Sequence, residues 1–544
     1  MRPGPGEGKV GGILAGWGPP EGPPHTDGTS SYQGAFMNTA SQPSSHRPSR
    51  FAQRLARGLT RGLTRGLVVL AASLGVVAAP GCGGGPSATP VAPVLVIGVD
   101  GLEWSVMSEL LAAGELPHLR GLMERGAFGR LGTFRPALSP VVWTTIATGK
   151  LPGHDPGRTH GILHFADAAK NAYTVGARGT AALWNMADGY GLSSNVFGWW
   201  ITWPVEPIDG VMVSGSSSMA LVDQTWKPAL ALDQPGQVHP PELEAEVMQL
   251  AARVGSREEL QRLLRQKILG SIPEGTLGEA ERTLIDQSVW SVQSDATFTA
   301  LAEALMPRHP ADLNLVYISG PDVVGHRFWR HYRPDEYDWH GDPAADAALA
   351  DVVPDYYRWT DELVGRLIAA APRDATVIVV SDHGMTVLEA VRHEPPQPNP
   401  QTGEIRWATG HHLAGDPGVF IAAGPGIARH GDVDLVLRGS PPPAVGPVTQ
   451  VTPTILALLG IPAGRDMGGV LRGVLDGQAA ANADLPRIPS HDAHWNAPPA
   501  AAMPETMDHD FLERYRQIGY LEVEVPEGFE LVNPADFEAG EDDG

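Results

Sequence analysis

Hydrophobic residues in this chain follow two patterns. Short continuous apolar runs stop abruptly at Asp, Ser or Gly. Between them lie longer stretches in which apolar residues recur every three or four positions. Val94 to Asp100 (VLVIGVD) is the run around which the rest is organised. Five of its seven residues are β-branched or Leu, as a strand buried on both faces requires, and Gly101 follows. Leu313 to Ser319 (LNLVYIS) repeats the design and leads into Gly320-Pro321-Asp322, with His326 four residues further on. Ala375 to Val380 (ATVIVV) runs into Ser381-Asp382-His383-Gly384, and Gly418 to Ala423 (GVFIAA) into Gly424-Pro425-Gly426.

The intervening stretches carry helical spacing. Val106 to Arg125 is divided by Gly114 and Pro117, and further helices are predicted at Leu183 to Ala187, Ala296 to Met306, Trp359 to Ala371 and Thr452 to Ile461. Asn195 to Trp200 is a further strand candidate. Two amphipathic segments, PELEAEVMQLAARVG and REELQRLLRQKIL, make residues 215–310 a helical insertion or cap, although an ordinary strand crossover would look similar. Arg333 to Leu349 reads as an irregular excursion, and Phe511 to Tyr520 as a short helix before an acidic tail. Strands alternating with helices predict an α/β fold with a largely parallel central sheet.

The first 93 residues look different. Residues 1–50 are rich in Gly, Pro, Ser and Thr without periodicity; they are disordered, or precede a true start for which Met37 is one alternative. Residues 51–82 have the form of a secretory leader. Arg50, Arg54, Arg57, Arg61 and Arg65 precede the apolar run Leu67 to Pro80, which is shorter than the roughly 20 residues a membrane span needs. Ala79-Pro80-Gly81-Cys82 resembles a bacterial lipobox, which makes Cys82 a lipidation site. Residues 83–93 then form a flexible tether. The expected location is beyond the inner membrane, lipid-anchored in a bacterial cell envelope.

The 544 residues carry a net charge of −23, which argues against general nucleic-acid binding but not against a phosphate-bearing substrate, since bound metal reverses the local field. With Cys82 the only cysteine, no intramolecular disulfide can form, and a metal site must draw on Asp and the 19 His.

Three apolar strands thus deliver Asp100, Asp322 and Asp382 at their ends, the position where open α/β sheets place their chemistry. His326 stands one helical turn from Asp322, His383 follows Asp382, and His411 and His412 precede the GVFIAA strand. One Asp alone is usually a helix cap and one His a satisfied core residue. Three Asp with three His suffice for two metal ions with open positions, which suit displacement at phosphorus. Ser139-Pro140 opens a helix whose free N–H groups favour phosphate, so Ser139 is either a nucleophile or only a cap; Thr144, Thr145 and Thr148 fall inside the helix.

These residues resemble the alkaline phosphatase superfamily, and within it the type I phosphodiesterase/nucleotide pyrophosphatase branch with its bacterial phosphohydrolase and phosphomutase-like relatives. The matching pieces are VIGVDG, SPVVWTTIATGKLPG, HGI, GPDVVGHRFW, SDHGM, GHH with GVFIAAGPGI, and TPTILALLGIP, in order from Val94 to Asp476. The resemblance implies a three-layer alkaline-phosphatase-like sandwich over residues 94–480, a C-terminal extension over 481–544, and two zinc ions. It implies that Asp100, Asp382 and His383 hold one ion, that Asp322, His326 and His412 hold the other, with His412 favoured over His411, and that Ser139 is the nucleophile. Two departures stand out: Ser139 replaces the usual Thr, and Val142 stands where an Asn usually helps hold the phosphoryl oxygen. The sulfatase pattern of Cys or Ser followed by x-Pro-x-Arg is not met by Ser139 to Trp143. The expected function is hydrolysis of a small-molecule, lipid or nucleotide-type phosphoric ester through a phosphoserine. Phosphotransfer or phosphomutase chemistry at the same centre, and a non-catalytic metal-binding envelope lipoprotein, are the alternatives.

Overall fold

The central strands of the main sheet bury apolar side chains on both faces. In this computed structural model the described residues are 86–215 and 235–504, except 168, 255, 271, 274, 399–402, 404, 406 and 500, together with 512, 516 and 528–532. The expected leader, Cys82 and most of the helix expected at Phe511 to Tyr520 lie outside them. Among the described residues no helix is long and apolar enough to cross a membrane.

Nine strands form the sheet: β1 (Val94–Val99), β2 (Ala127–Gly132), β3 (Ser194–Phe197), β4 (Gly210–Val213), β5 (Val238–His239), β6 (Leu313–Ile318), β7 (Thr376–Val380), β8 (Gly418–Ala423) and β9 (Ala444–Pro447). Their order is β9-β2-β8-β7-β1-β6-β3-β4-β5. β8 runs antiparallel to β2 and β7, and β5 antiparallel to β4, while the other pairings are parallel. Val94 and Val96 of β1 pack into the core on one side of the sheet, and Leu95, Ile97 and Val99 into the core on the other. Alternation with both faces covered is what a central parallel strand demands, and the result is the mixed α/β, alkaline-phosphatase-like sandwich expected.

The register brings the chemistry to one edge. Gly98 of β1 stands opposite Tyr317 of β6 and Val380 of β7, so the three strands end together and release Asp100, Asp322 and Asp382 at the same side.

Several boundaries differ from the sequence reading. Gly114 ends the helix Trp104–Ala113 at a φ of 78°, and Pro117 opens Pro117–Arg125, as the pattern predicts. The helix expected from Trp359 begins seven residues earlier, at Val352. Arg333 to Leu349 contains a helix, Pro343–Leu349, whose first turn is capped by the Asp342 carboxylate. Within 215–310, the helix Val289–Leu305 buries Val292, Phe298 and Leu301 in the same core as β1, so this helix belongs to the body of the domain. The end of the expected tether is also pinned: Val91 N donates to Leu458 O at 2.9 Å, and Ala92 is buried. In the C-terminal extension, Asp492 pairs with the buried Lys150 at 2.6 Å, and Glu530–Leu531 pairs antiparallel with Phe134–Arg135.

Candidate metal centre

Backbone and side-chain contacts fix the strand ends and turns that carry the ligand candidates. Gly101 has a φ of 68°, and a Cβ there would stand 2.7 Å from Asp322 Cα; only glycine lets the strand end and the helix start meet so closely. Asp322 N donates to Asp100 O at 3.1 Å across this junction. Asp322 and His326 lie on the helix Gly320–Tyr332, whose start is held by the buried Asp295. That carboxylate accepts from Ser319 N at 2.8 Å and Gly320 N at 2.9 Å, and from the hydroxyls of Ser319 and Tyr356. After β7, Ser381 Oγ accepts from Leu102 N at 2.9 Å and donates to His383 O at 2.8 Å, which fixes the turn carrying Asp382 and His383.

The side chains converge. Asp322 Oδ1 lies 3.1 Å from His326 Nε2 and 3.3 Å from His412 Nε2. His383 Nε2 lies 3.1 Å from Asp382 Oδ2 and 3.3 Å from Asp100 Oδ1. The His383 and His412 rings stack with centroids 3.4 Å apart. Two mutually close triples result, Asp322-His326-His412 and Asp100-Asp322-His383, each with ligand atoms within 4.8 Å of one another. The first is the set implied by the resemblance. In the second, Asp322 takes the place expected of Asp382, which stands beside His383; Asp322 is common to both triples.

The donors suit a cation. Asp100 Oδ1, Asp322 Oδ1, Asp382 Oδ2 and His383 Nε2 are buried and make no hydrogen bond. The second oxygens of Asp100 and Asp382 are occupied by protein donors, Asp382 Oδ1 by Gly101 N at 3.4 Å. His326 Nδ1 faces Gly410 O at 2.8 Å, and His383 Nδ1 faces Gly384 O at 2.9 Å. A carbonyl only accepts, so each Nδ1 carries a proton and each Nε2 faces the carboxylates, the nitrogen a metal-binding imidazole would offer.

Electrostatics agree. Burial, reinforced by Asp382 and Asp322, drives the Asp100 carboxyl well above its ordinary range. Burial opposes charge on His383, yet Asp382, Asp100 and Asp322 outweigh it and raise the imidazole to about 10. Without a metal the cluster thus draws a proton onto a ring aimed to bind one. Burial, with His383 and His326 nearby, keeps His412 neutral by pushing its pKa well below the ordinary value. Burial also works against ionised Asp322, but His326, His383 and Arg327 prevail and hold it below its ordinary value.

The type I phosphodiesterase / nucleotide pyrophosphatase family model matches residues 94–415. The chain belongs to this family. It is therefore a phosphoric ester hydrolase of the alkaline phosphatase superfamily, whose members are metal-dependent. No curated protein matches the chain.

In this phosphodiesterase family member, Ser139 is 2% exposed and occupies the first turn of the helix Ser139–Thr148. The cap position itself falls on Leu138, whose carbonyl accepts from Val141 N and Val142 N, so Ser139 is not the cap that its place before Pro140 suggested. One turn on, Trp143 Nε1 donates to Asp100 Oδ2 at 2.9 Å and ties the Ser139 helix to the centre. Thr144 and Thr145 spend their hydroxyls on the carbonyls of Pro140 and Val141, at 2.6 and 3.1 Å. His411, half-buried in the short strand Gly410–His411, takes no part in either triple.

His160 is also outside both triples. Its Nδ1 accepts from Ile162 N at 3.2 Å, which leaves Nε2–H to donate to Thr145 Oγ1 at 3.0 Å. Burial, with Arg178 and Lys150 adding to it, pushes this imidazole down to about 3 from 6.5. A depressed folded-state pKa gives stability that is full above the unfolded value and lost as pH falls through it. At pH 5 the unfolded chain binds the proton and the folded chain does not, a cost of about 2 kcal/mol. Unfolding free energies at pH 7.5 and pH 5 should therefore differ less in His160→Gln than in the wild type, by about that amount. Equal differences would place the acid sensitivity elsewhere.

Sequence reasoning missed Trp143, Tyr317 and Asp295. Tyr317 carried a signal, being the only polar-tipped aromatic in an otherwise buried strand, where a phenol must find a partner.

Proposed function

We propose that the protein hydrolyses phosphodiesters at a two-zinc centre through a phosphoserine formed on Ser139. The observation that carries this reading is the gathering of four buried donor atoms without hydrogen bonds, on Asp100, Asp322, Asp382 and His383, at a sheet edge tied to the Ser139 helix. Divalent ions held by Asp322, His326 and His412 on one side, and by Asp100, Asp382 and His383 with the shared Asp322 on the other, would lower the pKa of a hydroxyl and offset charge on a departing oxygen. Ser139 Oγ attacks phosphorus in line; the P–Oγ bond forms and the bond to the leaving alcohol breaks. Water then cleaves the P–Oγ bond and frees the product. The helix start supplies N–H groups and a favourable dipole for the phosphoryl oxygens. Arg327, buried with both terminal nitrogens unpartnered and with Asp322 as its neighbouring charge, adds positive field that suits an anionic substrate.

The test compares p-nitrophenyl phosphate with bis-p-nitrophenyl phosphate on the zinc-loaded protein. Faster release from the diester is expected. A monoester preference would move the protein to the phosphatases, and failure to turn over either ester with zinc bound would overturn the hydrolytic reading in favour of phosphotransfer.

A further inference from the structure

We propose that Tyr317 and Trp143 are paired positioning residues that make Asp100 a one-oxygen ligand. The inference rests on the metal-centre reading above and concerns how this chain prepares one ligand. Both side chains donate to the same atom: Trp143 Nε1 to Asp100 Oδ2 at 2.9 Å, and the Tyr317 hydroxyl to that oxygen as well. Asp100 Oδ1 receives no hydrogen bond, although the residue is 2% exposed. The carboxylate is thus divided, with one oxygen for the protein and one left bare.

The strand register explains how two aromatics reach one oxygen. Tyr317 on β6 is the neighbour of Gly98 on β1, and Asp100, two residues beyond Gly98, leaves the strand on the same face. Gly98 has no side chain to block that face, and a Cβ there would come within 2.8 Å of the Trp143 ring. Trp143 stands edge-on to Tyr317 at 5.3 Å between centroids and to Trp199 at 5.2 Å, a packing that holds both donors in place. Because Trp143 lies one turn from Ser139, the same contact sets the carboxylate and the nucleophile-bearing helix relative to each other.

Both donors are neutral, and this determines their effect. A cationic partner would consume the negative charge of Asp100, whereas an indole and a phenol fix its rotation and leave that charge for the ion. The Asp322-His326-His412 triple does not depend on this pair, so the effect should be confined to the ion at Asp100.

The experiment measures zinc affinity of the intact protein by competition with a colorimetric chelator, for the wild type, Tyr317→Phe, Trp143→Phe and the double variant. Each single variant is expected to weaken one of two bound ions by about 10- to 100-fold and leave the other unchanged. The double variant should lose less than the product of the singles, because both donors serve one oxygen. Replacing zinc with cobalt adds a signature that packing alone would not move: each donor removed loosens the hold on Asp100 Oδ2, so the visible bands should weaken in the single variants and most in the double, where both donors are gone. Wild-type affinities and cobalt bands in Tyr317→Phe and Trp143→Phe would overturn the positioning role. A wild-type protein that binds no divalent ion would instead overturn the metal-centre reading. If one single variant fails to fold, the other carries the test.

Discussion

Ser139→Ala is expected to lower turnover of the preferred ester by on the order of 10⁴- to 10⁶-fold, the scale on which a covalent nucleophile matters, while both metal ions remain bound. The change removes one oxygen from a buried side chain in the first helical turn and touches neither triple. The helix keeps its tie to Asp100 through Trp143, so the centre should survive. No other hydroxyl of the helix is ready to substitute. Thr144, Thr145 and Thr148 each donate to the carbonyl four residues back, and Thr145 also receives the His160 N–H. Rapid quenching should trap phosphate on the wild-type protein and none on Ser139→Ala. Full activity in the variant would show that water attacks phosphorus directly, with the metal centre intact and the covalent intermediate wrong.

Much of the candidate site was legible in the chain because its ligand candidates sit where strong local patterns end. β1, β6 and β7 are aliphatic runs cut off by Asp-Gly, Gly-Pro-Asp and Ser-Asp-His-Gly, and a parallel sheet must align the ends of neighbouring strands. The less legible features depend on partners far apart in sequence. Tyr317 and Asp100 are 217 residues apart, and Ser319 and Asp295 meet through a helix that the pattern assigned to an insertion. The strands β2, β4 and β9 were passed over because Gly and Pro dilute their apolar character: AFGRLG, GVMV and AVGP. The grouping of ligands was also beyond spacing. Asp322 reaches both triples because Gly101 lets its backbone close on the end of β1, a contact between positions 221 residues apart (322 − 101).

That shared position makes Asp322 the ligand whose loss should cost most metal. Asp322→Asn keeps the shape of the side chain and removes its charge. It is expected to release both ions, with at least about a 10³-fold loss of turnover. His412→Ala, confined to one triple, should release only one. Thermal stability gives an independent readout. An ion present at 1,000 times its dissociation constant stabilises the folded chain by about 4 kcal/mol, so chelation should lower the melting temperature of the wild type. In His412→Ala the chelator should produce a smaller shift, and in Asp322→Asn almost none, because there is little metal left to remove. The order follows from geometry: Asp322 Oδ1 lies 3.1 and 3.3 Å from the His326 and His412 nitrogens while also belonging to the triple with Asp100 and His383. Release of only one ion from Asp322→Asn would mean that Asp382 completes the Asp100 and His383 site without Asp322. The partition implied by family resemblance would then hold in place of the shared carboxylate.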